Sequence, residues 1–170
     1  MPTARKSTDK YANVLYDSVT ESDTNTLTFE AVDVGLNIFD KVGLLVSRIE
    51  YHGVWVKLVD DADTLEFGLS SSNGWTDPDP AETSIIDYNK LLLREVGTAA
   101  AAVWNLDPYI KDLSNLPGGG LLITPKPLYM YAQGASLVSA ASVKMRMFFT
   151  VIPLKPEEYF ELLEARQYFG

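Results

Sequence analysis

The sequence predicts an all-β protein: an antiparallel β-sandwich of the jelly-roll type that ends in a short C-terminal helix. Residues 142–154 alternate their side chains with a period of two, which a strand produces and a helix does not. About seven to nine short segments of this kind follow one another, separated by turns and long polar loops. An immunoglobulin-like sandwich is the alternative, but the polar insertions and the terminal helix favour the jelly roll.

The composition is typical of one globular domain and excludes several classes of function. The chain has 170 residues, of which 46% are hydrophobic and 22% are charged. Its formal net charge of −9 argues against a free-standing nucleic-acid-binding protein, because phosphate contacts need clustered Lys and Arg. The absence of cysteine excludes disulfides and thiolate chemistry. No apolar run approaches the roughly 20 residues that span a bilayer, and no signal-peptide core is visible, so we expect a soluble, unprocessed protein.

Residues 1–24 are predicted to form a polar N-terminal arm outside the core. Such an arm either stays flexible or becomes ordered against a neighbour, and its apolar residues favour docking on an adjacent subunit over phosphate binding. The possible nucleic-acid contacts are Arg5, Lys6 and Lys10. The candidate subunit contacts in the arm are Tyr11, Leu15 and Tyr16.

Residues 25–155 are predicted to form the jelly-roll domain, which begins with four strands. We expect these strands at residues 26–31, 43–52, 54–59 and 64–70. In the second strand, Leu45, Ile49 and Tyr51 are expected to share one face, with Arg48 and Glu50 on the other. The acidic turn DDAD between the third and fourth strands predicts that these two pair as a hairpin.

The middle of the domain is less regular. Residues 70–81 contain several Pro, Gly and Asn turn signals and are predicted to form a surface loop. Residues 84–96 and 98–104 fit a helix about as well as a strand. The LPGGG sequence at residues 116–120 predicts a tight turn.

The end of the chain is predicted from its alternation and its prolines. Short strands are expected at residues 121–124 and 128–132, before the long strand at 142–154. Residues 156–170 are predicted to form a helix and tail, because Pro156 and the acids that follow it suit a helix N-terminus. The remaining candidate subunit contacts are Trp75, Pro117, Tyr159, Phe160 and Phe169.

No pattern in the sequence predicts an enzyme, a catalytic residue or a cofactor. A metal site of the cupin kind needs two or three histidines, and His52 is the only one. The same shortage removes the usual base for a serine nucleophile. Oxygen-rich turns can hold calcium, so weak candidates for a site between subunits remain. They are Asp60, Asp61, Asp63, Asp77 and Asp79.

Trp75 leaves a second function open. As a tryptophan in a polar loop it could form a platform for a sugar, which would make the chain a ligand- or carbohydrate-binding module. A loop tryptophan is equally typical of a subunit contact. The second interpretation is favoured by the combination of an acidic β domain, an arm that docks on a neighbouring subunit and the lack of active-site chemistry. It makes the chain a protein that packs against copies of itself.

Two stretches of the sequence resemble a known class of protein. The run LPGGGLLITPKPLYMYAQGASLVSAASVKMRMFFTVIPLKPEEYFELLEAR, residues 116–166, resembles the C-terminal half of single jelly-roll capsid proteins of small icosahedral viruses, especially ones known from environmental sequences. The run TLTFEAVDVGLNIFDKVGLLVSRIEY, residues 26–51, has the same character. The resemblance implies two four-stranded sheets face to face and self-assembly into an icosahedral shell.

The resemblance also implies a location and partners. The chain would lie in the capsid of a virion, assembled in the host cell. Its partners would be copies of itself. Two further partners are possible: the viral genome, reached through the arm, and a second coat or minor capsid protein. Such coat proteins often carry a strongly basic arm, and the arm of this chain is only weakly basic.

Overall fold

The computed structural model of the chain describes residues 11–36, 40–52, 54–58, 63–92, 102–106 and 108–167. Only the backbone is described at residues 54–58, 102–106, 163 and 165–167. The strands are β1 (Asn13–Thr20), β2 (Thr28–Ala31), β3 (Val42–His52), β4 (Val54–Leu58), β5 (Thr64–Ser70), β6 (Ile85–Leu92), β7 (Ala102–Leu106), β8 (Tyr109–Asp112), β9 (Leu121–Ile123), β10 (Tyr129–Ala135) and β11 (Ser142–Pro153). The helix α1 spans Pro156–Gln167.

The strands form an antiparallel sandwich with jelly-roll topology. One sheet has the order β1-β11-β3-β8, with β9 also beside β3, and the other has the order β2-β10-β5-β6. Strand β1 pairs with β11, β2 with β10, β3 with β8 and β9, and β5 with β6. The chain is therefore a long antiparallel ribbon folded over into two facing sheets, as in a jelly roll. The predicted fold class is confirmed.

Strand β11 is central to the first sheet, as its alternation predicts. It pairs with β1 along residues 142–149 and with β3 along residues 144–153. Val143, Met145 and Met147 are fully buried and face the second sheet, while Lys144 is exposed. The two sheets bury Leu65, Phe67, Leu69 and Met130 against Val46, Ile49, Val143, Met145 and Met147.

A β-bulge in β3 corrects one prediction about side-chain direction. Val46 pairs with Phe149 and Arg48 pairs with Phe148, so Ser47 is an extra residue on β3. An extra residue reverses the alternation along a strand. Leu45 therefore lies on the opposite face from Ile49, contrary to the prediction that these residues share one face.

The predicted hairpin between the third and fourth strands is wrong. Strand β4 pairs with β7 in a small separate sheet, and β5 lies between β10 and β6. Both edges of β5 are thus occupied, which leaves no edge for β4. The stretches whose sequence fits helix or strand contribute the strands β6 and β7.

The N-terminal segment also differs from its prediction. Residues Asn13–Thr20, expected to lie in an arm outside the core, form β1 and pair with β11 over their whole length. Val19 is buried and Leu15 packs against the same core. The segment looks polar in the sequence because β1 is an edge strand, so its outward side chains meet solvent.

Helix α1 packs against the outer side of the first sheet. The Glu158 carboxylate accepts a hydrogen bond from the Lys155 backbone N–H at 2.9 Å, half of a capping box at the helix start. Tyr159 is 3% exposed and lies in a small apolar cluster on that side of the sheet. The cluster consists of the buried Ile152, Leu154 and Tyr159, and the partly buried Leu45, Leu122 and Leu162 pack against it.

Candidate interaction surfaces

The outward side of the first sheet carries a surface of arginine, lysine and aromatic side chains. These side chains stand directly across from one another in three rows over β1, β11 and β3. The rows are Ser18, Lys144 and His52; Tyr16, Arg146 and Glu50; and Val14, Phe148 and Arg48. We call the Arg–aromatic surface the set Tyr16, Arg48, His52, Lys144, Arg146 and Phe148.

Arg146 is the centre of this surface. Its guanidinium carbon lies 5.3 Å from the ring centroid of Tyr16 and 4.8 Å from that of Phe148. Cation–π contacts of this kind hold an arginine in place. Tyr16 is nevertheless 66% exposed. A shallow groove of about 490 Å³ lies beside Tyr16 and Arg146 and is lined also by Asp17, Ser18, His52, Lys144 and Met145.

Glu50 lies beneath the arginines and is only 5% exposed. Its carboxylate is 2.5 Å from an Arg48 guanidinium nitrogen, 3.2 Å from His52 Nε2 and 3.8 Å from an Arg146 nitrogen. A buried carboxylate needs such partners. Glu50 therefore acts as an anchor that holds the cations above it, and His52 belongs to this cluster.

A second polar cluster lies between the two sheets. Asp87 accepts hydrogen bonds from the Tyr51 hydroxyl at 2.5 Å and from Asn89 Nδ2 at 2.8 Å, and it forms an ion pair with Lys111. Burial, with the Asp87 charge adding to it, raises the pKa of Tyr51 well above its usual value. The cluster ties β3 and β8 of one sheet to β6 of the other, and we interpret it as structural.

The corner between β1 and β2 is joined to the β10–β11 turn by a buried glutamate. One oxygen of Glu21 accepts hydrogen bonds from the backbone N–H groups of Gly134 at 2.6 Å and Thr26 at 3.1 Å. The other oxygen accepts one from the Ala141 N–H at 2.7 Å. Asn25 adds two hydrogen bonds to the backbone of Leu137. No local pattern predicts this link, because Gly134 and Ala141 lie more than a hundred residues from Glu21 along the chain.

Trp75 packs onto the outer side of the second sheet of its own chain. Its ring lies 4.6 Å from the ring of Phe29 and 4.8 Å from that of Tyr131, both edge to face. Its indole N–H donates to the Ser70 hydroxyl at 3.1 Å. The indole thus packs against Phe29 and Tyr131 and is only partly exposed, which leaves less of the ring for a flat sugar platform.

The predicted subunit contacts are found in different settings. Tyr11 is 74% exposed and Phe160 is 57% exposed, and Pro117 lies exposed in the β8–β9 loop. Tyr159 is buried within its own chain, which removes it from the residues open to a neighbour, and Leu15 is partly buried against the core. Phe169 and the arm cations Arg5, Lys6 and Lys10 lie outside the described residues. Val138, in the β10–β11 turn, is 64% exposed and was not predicted.

The calcium candidates are not brought together where the structure describes them. Asp63 is buried, whereas Asp77 and Asp79 are exposed, and Asp79 accepts a hydrogen bond from the Ala81 N–H within its own turn. Asp60 and Asp61 lie outside the described residues. Among the residues that are described, no group of three or more acidic or histidine side chains is placed to hold a metal ion.

Comparison with known proteins adds little. No protein-family model matches the chain, and no curated protein sequence matches it. A solved structure of Desmodium yellow mottle tymovirus is similar to the chain at 9% sequence identity, covering 88% of this chain and 93% of that one, with a TM-score of 0.24. A likeness this low says nothing about function. Within the described residues, no helix is long and apolar enough to cross a membrane.

Proposed function

We propose that this chain is a structural capsid protein whose copies assemble into a closed icosahedral shell. The observation that carries the proposal is the jelly-roll topology, in which β1 and β11 pair and all the described strands except β4 and β7 form two facing sheets, one of five strands and one of four. Jelly rolls serve mainly as capsid, lectin and cupin domains. A fold does not fix a function, so the choice among these rests on the residues of this chain.

The side chains favour the capsid over the other two. A cupin-type metal site needs several histidines, and the sequence has one, which is hydrogen-bonded to Glu50. A lectin-type platform is disfavoured by Trp75, which is packed edge to face against Phe29 and Tyr131. A shell subunit needs neither feature, because its function is to contact its neighbours.

Exposed apolar side chains occur at several separate places, which suits contacts with several neighbours. Leu116 lies in the β8–β9 loop, Val138 in the β10–β11 turn, and Phe160 on α1. In a closed shell each subunit meets neighbours around different symmetry axes, so modest contacts at several sites suffice. We assign these residues, together with Tyr11, Trp75 and Pro117, to subunit contacts. The shell would enclose a genome in a virion, alone or with a second coat protein.

Substitutions at two of these positions test the assignment. Val138→Asp and Phe160→Asp should leave a folded subunit that no longer forms particles, because a buried charge at a contact is costly. Val138→Leu and Phe160→Leu are the matched controls and should still assemble, since they keep an apolar side chain. Particle size is measured by light scattering and folding by circular dichroism. Assembly of the aspartate variants at wild-type yield would remove these residues from the contacts.

A further inference from the structure

We propose that the Arg–aromatic surface binds single-stranded nucleic acid. The inference deepens the proposed shell function and rests on it for its biological meaning: it makes the outward side of the first sheet the genome-facing side of the subunit. The binding itself is a property of one subunit and can be measured whether or not shells form.

The charge of the Arg–aromatic surface supports nucleic acid as its ligand. Arg48, Lys144 and Arg146 come together across β3 and β11 in a chain whose formal net charge is −9. Two acids share this region: Glu50 is buried below the arginines, and Asp17 lines the groove with Lys144, so the three cations exceed these two acids by one charge. On the neighbouring strand β8, Asp112 pairs with Arg48 and marks the limit of the cationic region. Phosphate groups match such a surface electrostatically.

Arg146 retains hydrogen-bonding capacity for a phosphate. Its side chain is 37% exposed whereas its Nε is buried, so the terminal guanidinium nitrogens are the atoms that a phosphate would contact. Its nearest approach to Glu50 is 3.8 Å, which is longer than a hydrogen bond. The rings of Tyr16 and Phe148 hold the guanidinium in place, so little side-chain entropy is lost when it binds an anion.

The aromatic part of the surface points to single strands. Tyr16 is 66% exposed, so its ring can stack on a base as well as contact Arg146. Binding of single strands typically combines a cationic groove with exposed aromatic rings, and bases are available for stacking only when they are unpaired. The groove beside Tyr16 is lined by residues of β1, β3 and β11, which brings the aromatic ring and the cations to one site.

The test uses the full chain at low salt and a fluorescently labelled single-stranded oligo-dT of about 20 nucleotides, with binding followed by anisotropy over a salt series. Arg146→Gln and Lys144→Gln should each weaken binding severalfold and flatten the slope of log K against log salt by about 0.7, the value for one lost phosphate contact. Tyr16→Ala should weaken binding about fivefold or more and leave that slope unchanged, because it removes stacking and no charge.

Two controls carry the same loss of charge elsewhere. Lys126→Gln lies in the loop between β9 and β10, where Lys126 is paired with Asp33, and Lys155→Gln lies before α1. At the high-salt end of the series both should bind within about twofold of the wild type, since charges more than about 10 Å from the bound phosphates are largely screened at about 0.1 M salt. A thermal melt of each variant establishes that it is folded.

Three results would overturn the proposal. The first is that the triple variant Arg5→Gln, Lys6→Gln, Lys10→Gln loses binding while the surface variants bind as well as the wild type, which would assign binding to the arm. The second is full affinity in Tyr16→Ala with equal competition by heparin, which would make the surface a general polyanion site. The third is no oligo-dT binding by the wild type at low salt. Light scattering of the same samples reports assembly separately, so failure of binding and failure of shell formation are distinguishable.

Discussion

Removing the carboxylate of Glu21 should be among the most damaging single changes in the chain. In Glu21→Ala, the buried N–H groups of Gly134 and Ala141 lose their acceptors at 2.6 and 2.7 Å, and Thr26 loses a third, longer contact. Hydrogen bonds to a charged group contribute about 1.5–3 kcal/mol each. With two such bonds buried and the third partly solvated, we expect a loss of about 3–5 kcal/mol, a large share of the roughly 5–15 kcal/mol typical of a domain.

Urea unfolding followed by tryptophan fluorescence measures this loss. Glu21→Gln should cost about half as much, because its amide oxygen still accepts hydrogen bonds while its nitrogen cannot. Glu30→Ala, which removes the same carboxylate from an exposed position on β2, is the matched control and should stay within about 0.5 kcal/mol of the wild type. A loss below about 1 kcal/mol in Glu21→Ala would show that the link between the two corners does not stabilise the fold.

Two further predictions concern the interior. The folded-state pKa of Tyr51 is raised, so the stability it contributes is complete below the unfolded pKa of 10.0 and is lost as the pH rises above that value, by up to about 1.4 kcal/mol per pH unit. In Tyr51→Phe the fall in unfolding free energy between about pH 10 and 11.5 should be less steep by up to this amount per pH unit. An unchanged slope would contradict the burial of the phenol. Gly68→Ala should destabilise the fold by about 3 kcal/mol or more, because its Cβ would collide with the Asp87 carbonyl group. The control Gly74→Ala has its nearest contact at 3.5 Å and should unfold near the wild-type urea midpoint; equal midpoints for both variants would mean that β5 and β6 are less closely apposed at Gly68.

Local patterns in the sequence predicted the elements of the fold better than their pairing. The alternation around Met145 and Met147 was sufficient to place β11, and Pro156 was sufficient to start the helix, because both signals are contained in a few neighbouring residues. The expected β4–β5 hairpin failed since proximity in sequence does not decide which edges remain open. Ser47 shifts the faces of β3, and the continuous apolar run at residues 44–46 hides this change of alternation in the sequence.

The candidate surfaces depended on register, which the sequence does not display. Tyr16, Arg146 and Glu50 stand side by side only because β1 and β3 flank β11 in one register. Their separation along the chain hides this arrangement from any local pattern. The segment around Val19 shows the same limit, because a stretch with one buried residue among polar neighbours is predicted to be an arm until its partner strand is known.

The most direct test of the shell proposal is the mass of the full-length protein in solution. Size-exclusion chromatography with light scattering, and electron micrographs of the largest species, should be recorded across salt and calcium concentrations. The proposal predicts closed particles of uniform size that contain only this chain. A folded monomer under all of these conditions, at high concentration, would contradict self-assembly by this chain alone.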